Sequence, residues 1–256
     1  TWLPTAQSYY GGVALEIMDI SQSANRMTFG VRFAWKLDSA YEGENTIPAA
    51  AINFDGQGTD EIFYPMPDGK LTMFRNGIMM PDFPIQIQEI PFPYTWDGSD
   101  VYIPVQAHTM ARLYKLNPAD RRYPISLPGY KWLSHPIDVG LDLLMPMEIL
   151  ETGESVILSY LKDEALLADD RITLAAPLKS NLLCTDDVLY GLSQSEGDSF
   201  YTLWKYDLVF TNMEYYDTTV PADSVVVGLF GASLNDAGPL NIIVQCPSSL
   251  YVFDLR

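Results

Sequence analysis

The sequence predicts an all-β fold, a β-propeller of five or six blades preceded by an N-terminal β-hairpin. Short runs of β-branched, aromatic and aliphatic residues recur between turn residues, and no long amphipathic helix is visible. The 18 prolines and 17 glycines are spread along all 256 residues. Many short strands with frequent turns are typical of sandwiches, barrels and propellers. A pair of β-sandwiches is the alternative fold.

One unit of strands and turns is complete near the start of the predicted propeller. A strand over 47–54 leads into an acidic glycine loop at 55–60, and a second strand follows at 61–64. An Asp-Gly turn at 68–69 then leads to a third strand at 71–74. An Asp-Gly pair between two strand-like runs is a strong hairpin signal.

The same hairpin returns in weaker form along the chain. Successive copies are anchored at Glu61, Asp100, Ser155, Asp187 and Asn241, which are spaced 39, 55, 32 and 54 residues apart. The mean spacing of 45 residues suits a four-stranded propeller blade. This repeat favours a propeller over the other all-β folds. The third copy also predicts two strands, rather than a helix, between residues 155 and 167.

The first copy carries a family resemblance. Residues 51–62, followed by the turn and strand at 68–71, resemble the repeat of FG-GAP-like and PQQ-like bacterial β-propellers. In that repeat an Asp-rich glycine loop joins two strands, and an Asp-Gly turn leads to the next. A second, eroded copy lies at 233–244. The resemblance covers about residues 47–256 and implies a propeller domain over 46–256.

Residues 1–45 are predicted to form a separate hairpin segment and a linker. Two strand-like runs lie at 13–20 and 26–33, on either side of a polar turn. Residues 11–35 resemble a β-segment at the end of the secreted M6-type (immune-inhibitor-A-like) metalloprotease region. Alternatively, the hairpin supplies outer strands that close the propeller ring. Because the chain begins with Thr1 rather than Met, we interpret it as a segment of a longer precursor.

The acidic loop is the best candidate for a metal site, with calcium as the expected ion. Calcium takes six to eight oxygen ligands, and alternate residues of a loop can supply them. The candidate ligands are Asn53, Asp55, Gln57, Thr59 and Glu61. Only Asp55 and Glu61 bring charge, so weak binding is expected. The alternative is a metal-free turn in which Gly56 and Gly58 adopt unusual backbone angles.

Other chemistry has little support in the sequence. The two histidines, His108 and His135, lie in no His-Glu-x-x-His motif, and no Gly-x-Ser-x-Gly elbow is present. Adjacent acids occur at 60–61, 169–170 and 186–187. Neighbouring side chains on a strand face opposite ways, so such pairs are poor catalytic dyads. We therefore predict no catalytic residues and no cofactor other than calcium.

The charge balance bears on partners and location. The chain has 33 acidic and 15 basic residues and a formal net charge of −18, which disfavours nucleic acid and anionic membranes. No run of about 18 apolar residues is present, so membrane insertion is not expected. The two cysteines, Cys184 and Cys246, are compatible with either a disulfide or two buried thiols.

These observations predict a non-catalytic extracellular module, structural or adhesive, within a larger secreted or cell-surface bacterial protein. Its expected partner is another protein or a second copy of itself, since open strand edges promote association. One alternative is the ancillary C-terminal domain of a secreted metalloprotease. The other is a propeller that binds or acts on carbohydrate, with a polysaccharide as its ligand.

Overall fold

The structure is a computed structural model of the chain. It describes residues 6–7, 14–18, 30–33, 47–58, 60–233 and 240–254, the first three ranges by backbone alone. Contacts divide the chain into two units, Thr1–Glu44 and Asn45–Arg256. Within the described ranges every regular element is a β-strand, and none of these residues belongs to a helix suited to crossing a bilayer.

The first unit contains a small antiparallel sheet. Its strands are β1 (Ala6–Gln7), β2 (Ala14–Met18) and β3 (Gly30–Phe33), in that order across the sheet. Residue Ile17 pairs with Val31, so the two strands predicted at 13–20 and 26–33 form an antiparallel pair. Most of the segment that resembles the M6-type region lies outside the described residues, and that resemblance stays a prediction.

The second unit contains five antiparallel sheets in chain order. Sheet 1 has β4 (Ala50–Ile52), β5 (Glu61–Pro65), β6 (Lys70–Arg75), β7 (Ile78–Met79) and β8 (Ile85–Gln86), which pairs with β6. Sheet 2 has β9 (Thr95–Trp96), β10 (Val101–Ala107), β11 (Met110–Leu116) and β12 (Arg121–Pro128). Sheet 3 has β13 (Tyr130–Trp132), β14 (Ile137–Val139), β15 (Asp142–Ile149), β16 (Ser155–Leu161) and β17 (Leu166–Thr173). Sheet 4 has β18 (Leu183–Thr185), β19 (Val188–Ser193), β20 (Phe200–Asp207) and β21 (Asn212–Pro221). Sheet 5 has β22 (Gly228–Ser233), β23 (Leu240–Cys246) and β24 (Ser249–Asp254).

Each middle sheet is buried on both faces. Ile103 of β10 packs with Phe63 of sheet 1, whereas its neighbour Tyr102 packs with Met145 of sheet 3. Two further clusters join sheet 3 to sheet 4 and sheet 4 to sheet 5. A sandwich buries one face of each sheet and leaves the other in solvent. The alternative of two sandwiches is therefore wrong, and the sheets stack in sequence as propeller blades do.

Edge strands of successive sheets lie side by side. β9 contacts β14, β14 contacts β18, and β18 contacts β22. β9, β18 and β22 each begin their sheet along the chain, whereas β14 follows β13 and pairs with the same strand, β15. Residues at their ends therefore lie close together although the sequence separates them widely. Such a convergence is where propellers build a channel and its mouth.

Several local predictions are confirmed. The segment 155–167 forms the strands of a hairpin, β16 and the start of β17, rather than a helix. The Asp-Gly turn follows β5, with Gly69 at φ +85°. A side chain at that position would collide with the backbone carbonyl of Gln88, so only glycine fits. Cys184 and Cys246 are free thiols rather than a disulfide, but only Cys246 is buried, and Cys184 is half-buried.

Candidate functional site

The acidic loop carries a buried carboxylate that is bound by an arginine. Glu61 opens β5 and is 0% exposed. Its Oε2 accepts a hydrogen bond from the Phe54 backbone N–H at 2.8 Å, and its Oε1 accepts one from Arg75 Nε at 2.7 Å. The Arg75 guanidinium also forms an ion pair and a hydrogen bond with Asp55. One arginine therefore bridges both acids of the predicted metal loop.

The ionisation of this cluster follows from that contact. The hydrogen bond from Arg75 lowers the pKa of Asp55, and the Gln57 backbone N–H adds to the effect with a 3.0 Å bond to Asp55 Oδ1. In return, the hydrogen bonds to Asp55 and Glu61 raise the pKa of Arg75. These contacts therefore favour the charged forms of Asp55 and Arg75.

The predicted calcium ligands are only partly brought together. Asp55 and Glu61 meet through Arg75, Gln57 is exposed, and Thr59 lies outside the described residues. Asn53 Oδ1 is buried and has no hydrogen-bond partner among the described groups. No set of three or more His, Cys, Asp or Glu side chains in the described ranges is placed to hold a metal. Calcium binding stays a prediction. The ion could bind Asp55 and Glu61 only if the Arg75 guanidinium moved away from their carboxylates.

Sequence reasoning missed Arg75, although the signal was present. Ile62 pairs with Phe74 across the hairpin of β5 and β6, so Glu61 and Arg75 are cross-strand neighbours. The Asp-Gly turn alone sets this register. Opposite charges at such positions attract, and a buried acid needs a partner.

A second charged cluster joins sheets 2 and 3. Lys162, just beyond β16, bonds Asp138 Oδ1 at 2.9 Å and Asp97 Oδ2 at 3.2 Å through its Nζ. The side chains of Lys162 and Asp97 are only 12% and 10% exposed. Burial opposes ionisation of Asp97, but the backbone N–H groups of Asp100 and Ser99 together with Lys162 outweigh it and lower its pKa.

We expect Asp97 to make stability depend on pH in acid. Its pKa lies below 3.8 in the folded protein, so its contribution is present above that pH and is lost as the pH falls through the folded value. Asp97→Asn is expected to lower the free energy of unfolding by about 1–2 kcal/mol at pH 7. The difference from wild type should shrink towards pH 2, as measured by urea unfolding. A difference that is unchanged by pH would contradict this assignment.

The remaining candidates for chemistry lie apart in the fold. His108 is exposed in the turn between β10 and β11, and His135 lies in the connection from β13 to β14, where burial lowers its pKa. The pair at 169–170 is exposed on β17, and the pair at 186–187 forms the turn between β18 and β19. Glu61 is held by Arg75, as described above.

The largest unexpected feature is an apolar face on sheet 5, here called the outer face. Phe230, Ile243 and Val252 lie side by side across β22, β23 and β24, with Leu250 two residues earlier on β24. Phe230, Val252 and Leu250 are 48%, 51% and 67% exposed. The opposite face, with Leu229 and Val244, is buried against sheet 4.

A second exposed apolar position lies on sheet 1. Ile62 is 47% exposed, and its cross-strand neighbour Ala51 is exposed as well. Both lie on the face opposite Phe63, which packs against sheet 2. The first and last sheets of the unit therefore each present exposed apolar side chains on the face turned away from their described neighbour.

The sequence contained a signal for the outer face. The run Leu250-Tyr251-Val252-Phe253 is apolar at successive positions, not only at alternate ones. Side chains on a strand alternate between faces, so a continuous apolar run predicts burial on both. The sequence analysis predicted a strand from this run, but it did not predict that both faces of the strand are apolar.

Comparison with solved structures shows the fold. BamB from Moraxella catarrhalis matches with a TM-score of 0.52 at 14% identity, covering 93% of this chain and 82% of that one. Sqt1 from Saccharomyces cerevisiae matches with a TM-score of 0.53 at 12% identity, covering 96% of this chain and 67% of that one. No family model matches the sequence, and no curated protein matches it. Both structures are β-propellers, and the chain has that fold.

Proposed function

We propose that this chain is a non-catalytic protein-interaction module that assembles through the outer face of sheet 5. The observation that carries the proposal is the exposed apolar stripe of Phe230, Val252 and Leu250. A contiguous exposed apolar patch on a soluble domain marks an interaction site more often than chance scatter does. The similarity to other propellers supports the fold on which this surface lies. It does not identify the partner.

A second copy of the chain is the occupant that the geometry favours. Sheets 1 to 5 already pack face on face, each burying apolar side chains of the next. Placing sheet 1 of another copy on the outer face continues the same packing, with Ile62 meeting Val252. Such a contact joins two different surfaces, so it builds open chains or rings of copies.

The edge of sheet 5 supports association as well. Sheets 2 and 4 each have four strands in line, whereas sheet 5 has three within the described residues. The edge strand β24 pairs with β23 on one side, and residues 250–253 have no described strand on the other. Strand addition at such an edge would supply backbone hydrogen bonds along with the apolar contact.

Sedimentation velocity of the full chain over a concentration series tests this proposal. We expect the weight-average mass to rise with concentration. The double variant Leu250→Lys, Val252→Lys should remain a monomer, because two cations would need to be buried on association. Val209→Lys with Phe210→Lys, exposed in the turn between β20 and β21, is the matched control and should associate like wild type. A wild-type chain that stays monomeric throughout would contradict the proposal.

We further propose that the module belongs to a secreted or cell-surface protein of the kind with FG-GAP-like or PQQ-like repeats. The acidic glycine loop, the net charge of −18 and the low cysteine content support this proposal. Protease shaving of intact source cells tests the location. Loss of the chain without lysis is the expected result, and full protection together with recovery in the cytoplasmic fraction would contradict it.

A further inference from the structure

A pocket of about 430 Å³ lies where segments from four sheets or their connections converge. Its wall is formed by short segments that lead into β9, β14, β18 and β22, one edge strand from each of four sheets. These segments are 92–93, 133–135, 178–181 and 226–228. The volume falls within the usual range for small-ligand sites, about 300–1,000 Å³. The pocket is thus built by the propeller topology rather than by one loop.

The lining is apolar with a few polar groups. Phe92, Leu133, Val226 and Phe230 are among the apolar residues of the wall. Ser134 is 4% exposed and its Oγ lies 3.4 Å from His135 Nδ1. An apolar wall with a small number of placed polar groups is the composition expected of a binding pocket.

The wall is held rigidly on one side. The Asn181 side chain accepts a hydrogen bond from the Leu229 N–H at 2.7 Å and donates one to the Leu229 carbonyl at 3.0 Å. Ser180 Oγ accepts a hydrogen bond from the Leu192 N–H at 2.9 Å. These bonds tie the segment at 178–181 to sheets 4 and 5. A wall fixed in this way loses little entropy when a ligand binds.

The charge of the pocket is opposite to that of the chain. None of its lining residues in the described part of the chain is an aspartate or glutamate, although the chain has 33 acidic residues. Lys179 lines it, and in the described part of the chain no carboxylate forms an ion pair with its ammonium group. Burial lowers the pKa of His135, which leaves a neutral imidazole able to donate or accept a hydrogen bond.

We infer that this pocket binds an apolar group that carries a carboxylate. The apolar wall would bury the body of the ligand, Lys179 would pair with the carboxylate, and Ser134 and His135 offer further hydrogen bonds. The same chemistry occurs at the C-terminus of a peptide with apolar last residues and in a free organic acid. The inference does not depend on self-association, and its variants avoid Phe230, which also lies on the outer face.

Histidine-selective NMR of the full chain tests the inference. The chain has two histidines, so His108→Gln assigns the His135 signal. The probes are N-acetyl-Leu-Leu and 4-phenylbutyrate, each compared with its uncharged amide. We expect at least one acid to shift the His135 signal and leave that of His108 unchanged. Its amide should bind about tenfold more weakly, because the charge-assisted bond is lost. The tighter of the two acids identifies the source of the ligand.

Two variants distinguish the contribution of the Lys179 charge to binding from that of the apolar wall. Lys179→Gln should remove the preference for acid over amide, whereas the matched control Lys131→Gln, an exposed lysine on β13, should retain it. Val227→Asp, at a lining residue that is 57% exposed, should weaken binding of both forms. The inference is overturned if neither acid shifts the His135 signal, if amides bind as well as acids, or if Lys179→Gln changes nothing.

Discussion

Arg75→Met is expected to lower the free energy of unfolding at pH 7 clearly more than the loss of an exposed arginine does. The substitution removes the guanidinium that bridges Asp55 and Glu61 while retaining much of the side-chain volume. Glu61 is 0% exposed, and the bond from the Phe54 N–H alone would not compensate its buried carboxylate. Breaking a buried pair from one side leaves an uncompensated charge, which costs more than the pair contributed. Urea unfolding measures the loss.

Two comparisons make this result specific. Arg122→Met removes an exposed arginine paired with Asp120 at 3.0 Å, and should cost less than about 1 kcal/mol. Adding Glu61→Gln to Arg75→Met should restore part of the lost free energy of unfolding, because burying a neutral amide costs less than burying an unpaired carboxylate. If Arg75→Met were no more destabilising than Arg122→Met, the assignment of Arg75 as the partner of a buried charge would be wrong.

Arg75→Met also tests the prediction that the acidic loop binds calcium. Once Arg75 is absent, Asp55 and Glu61 are freed for a cation, and calcium should raise the melting temperature of Arg75→Met. The wild-type chain should respond less, since its guanidinium already holds both carboxylates. If calcium stabilised neither protein, the site predicted at Asn53, Asp55, Gln57, Thr59 and Glu61 would be excluded as a calcium site.

Trp204→Ala is expected to destabilise the protein by about 4 kcal/mol. Trp204 on β20 is 0% exposed and packs with Leu144 and Ile157 of sheet 3. Its ring also lies so close over Gly191 that a side chain at that glycine would collide with it. Truncation therefore opens a large cavity between two sheets, and the surrounding strands are too constrained to close it.

Calorimetry or urea unfolding measures this loss, with Phe210→Ala as the matched control. Phe210 follows β20 in the turn to the next strand of the same sheet and is 78% exposed. Its truncation should change stability by less than about 0.5 kcal/mol. Equal effects at the two positions would contradict the packing of sheet 4 on sheet 3. Trp204→Phe should cost much less than Trp204→Ala, since Trp204 Nε1 has no hydrogen-bond partner to lose among the described groups.

The sequence predicted the strands and the fold because their signals are local. Turn residues such as those at 68–69 and short apolar runs such as 101–105 depend on neighbours within a few positions. The repeat near 45 residues then distinguished a propeller from a sandwich, although each copy varied in length. The anchor Ser155 opens β16, the third strand across sheet 3, whereas Asp100 and Asp187 directly precede the second strands of sheets 2 and 4. Part of the uneven spacing therefore comes from an anchor that lies one strand out of phase.

The sites were harder to predict because they depend on pairing between distant residues. The acidic loop looked like a cation site because the partner of Glu61, Arg75, is fourteen positions along the chain. The pocket gathers segments from 92 to 228, and no local pattern marks them as neighbours. The run at 250–253 indicated the outer face, but which of its two faces is covered depends on how sheets 4 and 5 stack.

Intermolecular cysteine cross-linking tests the head-to-tail contact most directly. Val252→Cys and Ile62→Cys are made separately, each with Cys184→Ser and Cys246→Ser, and the two full-length proteins are mixed under mild oxidation. We predict disulfide-linked dimers of one Val252→Cys chain with one Ile62→Cys chain, and little linkage when either protein is oxidised alone. Linkage of Val252→Cys only to itself, or none in the mixture, would contradict assembly of sheet 5 on sheet 1 of the next copy.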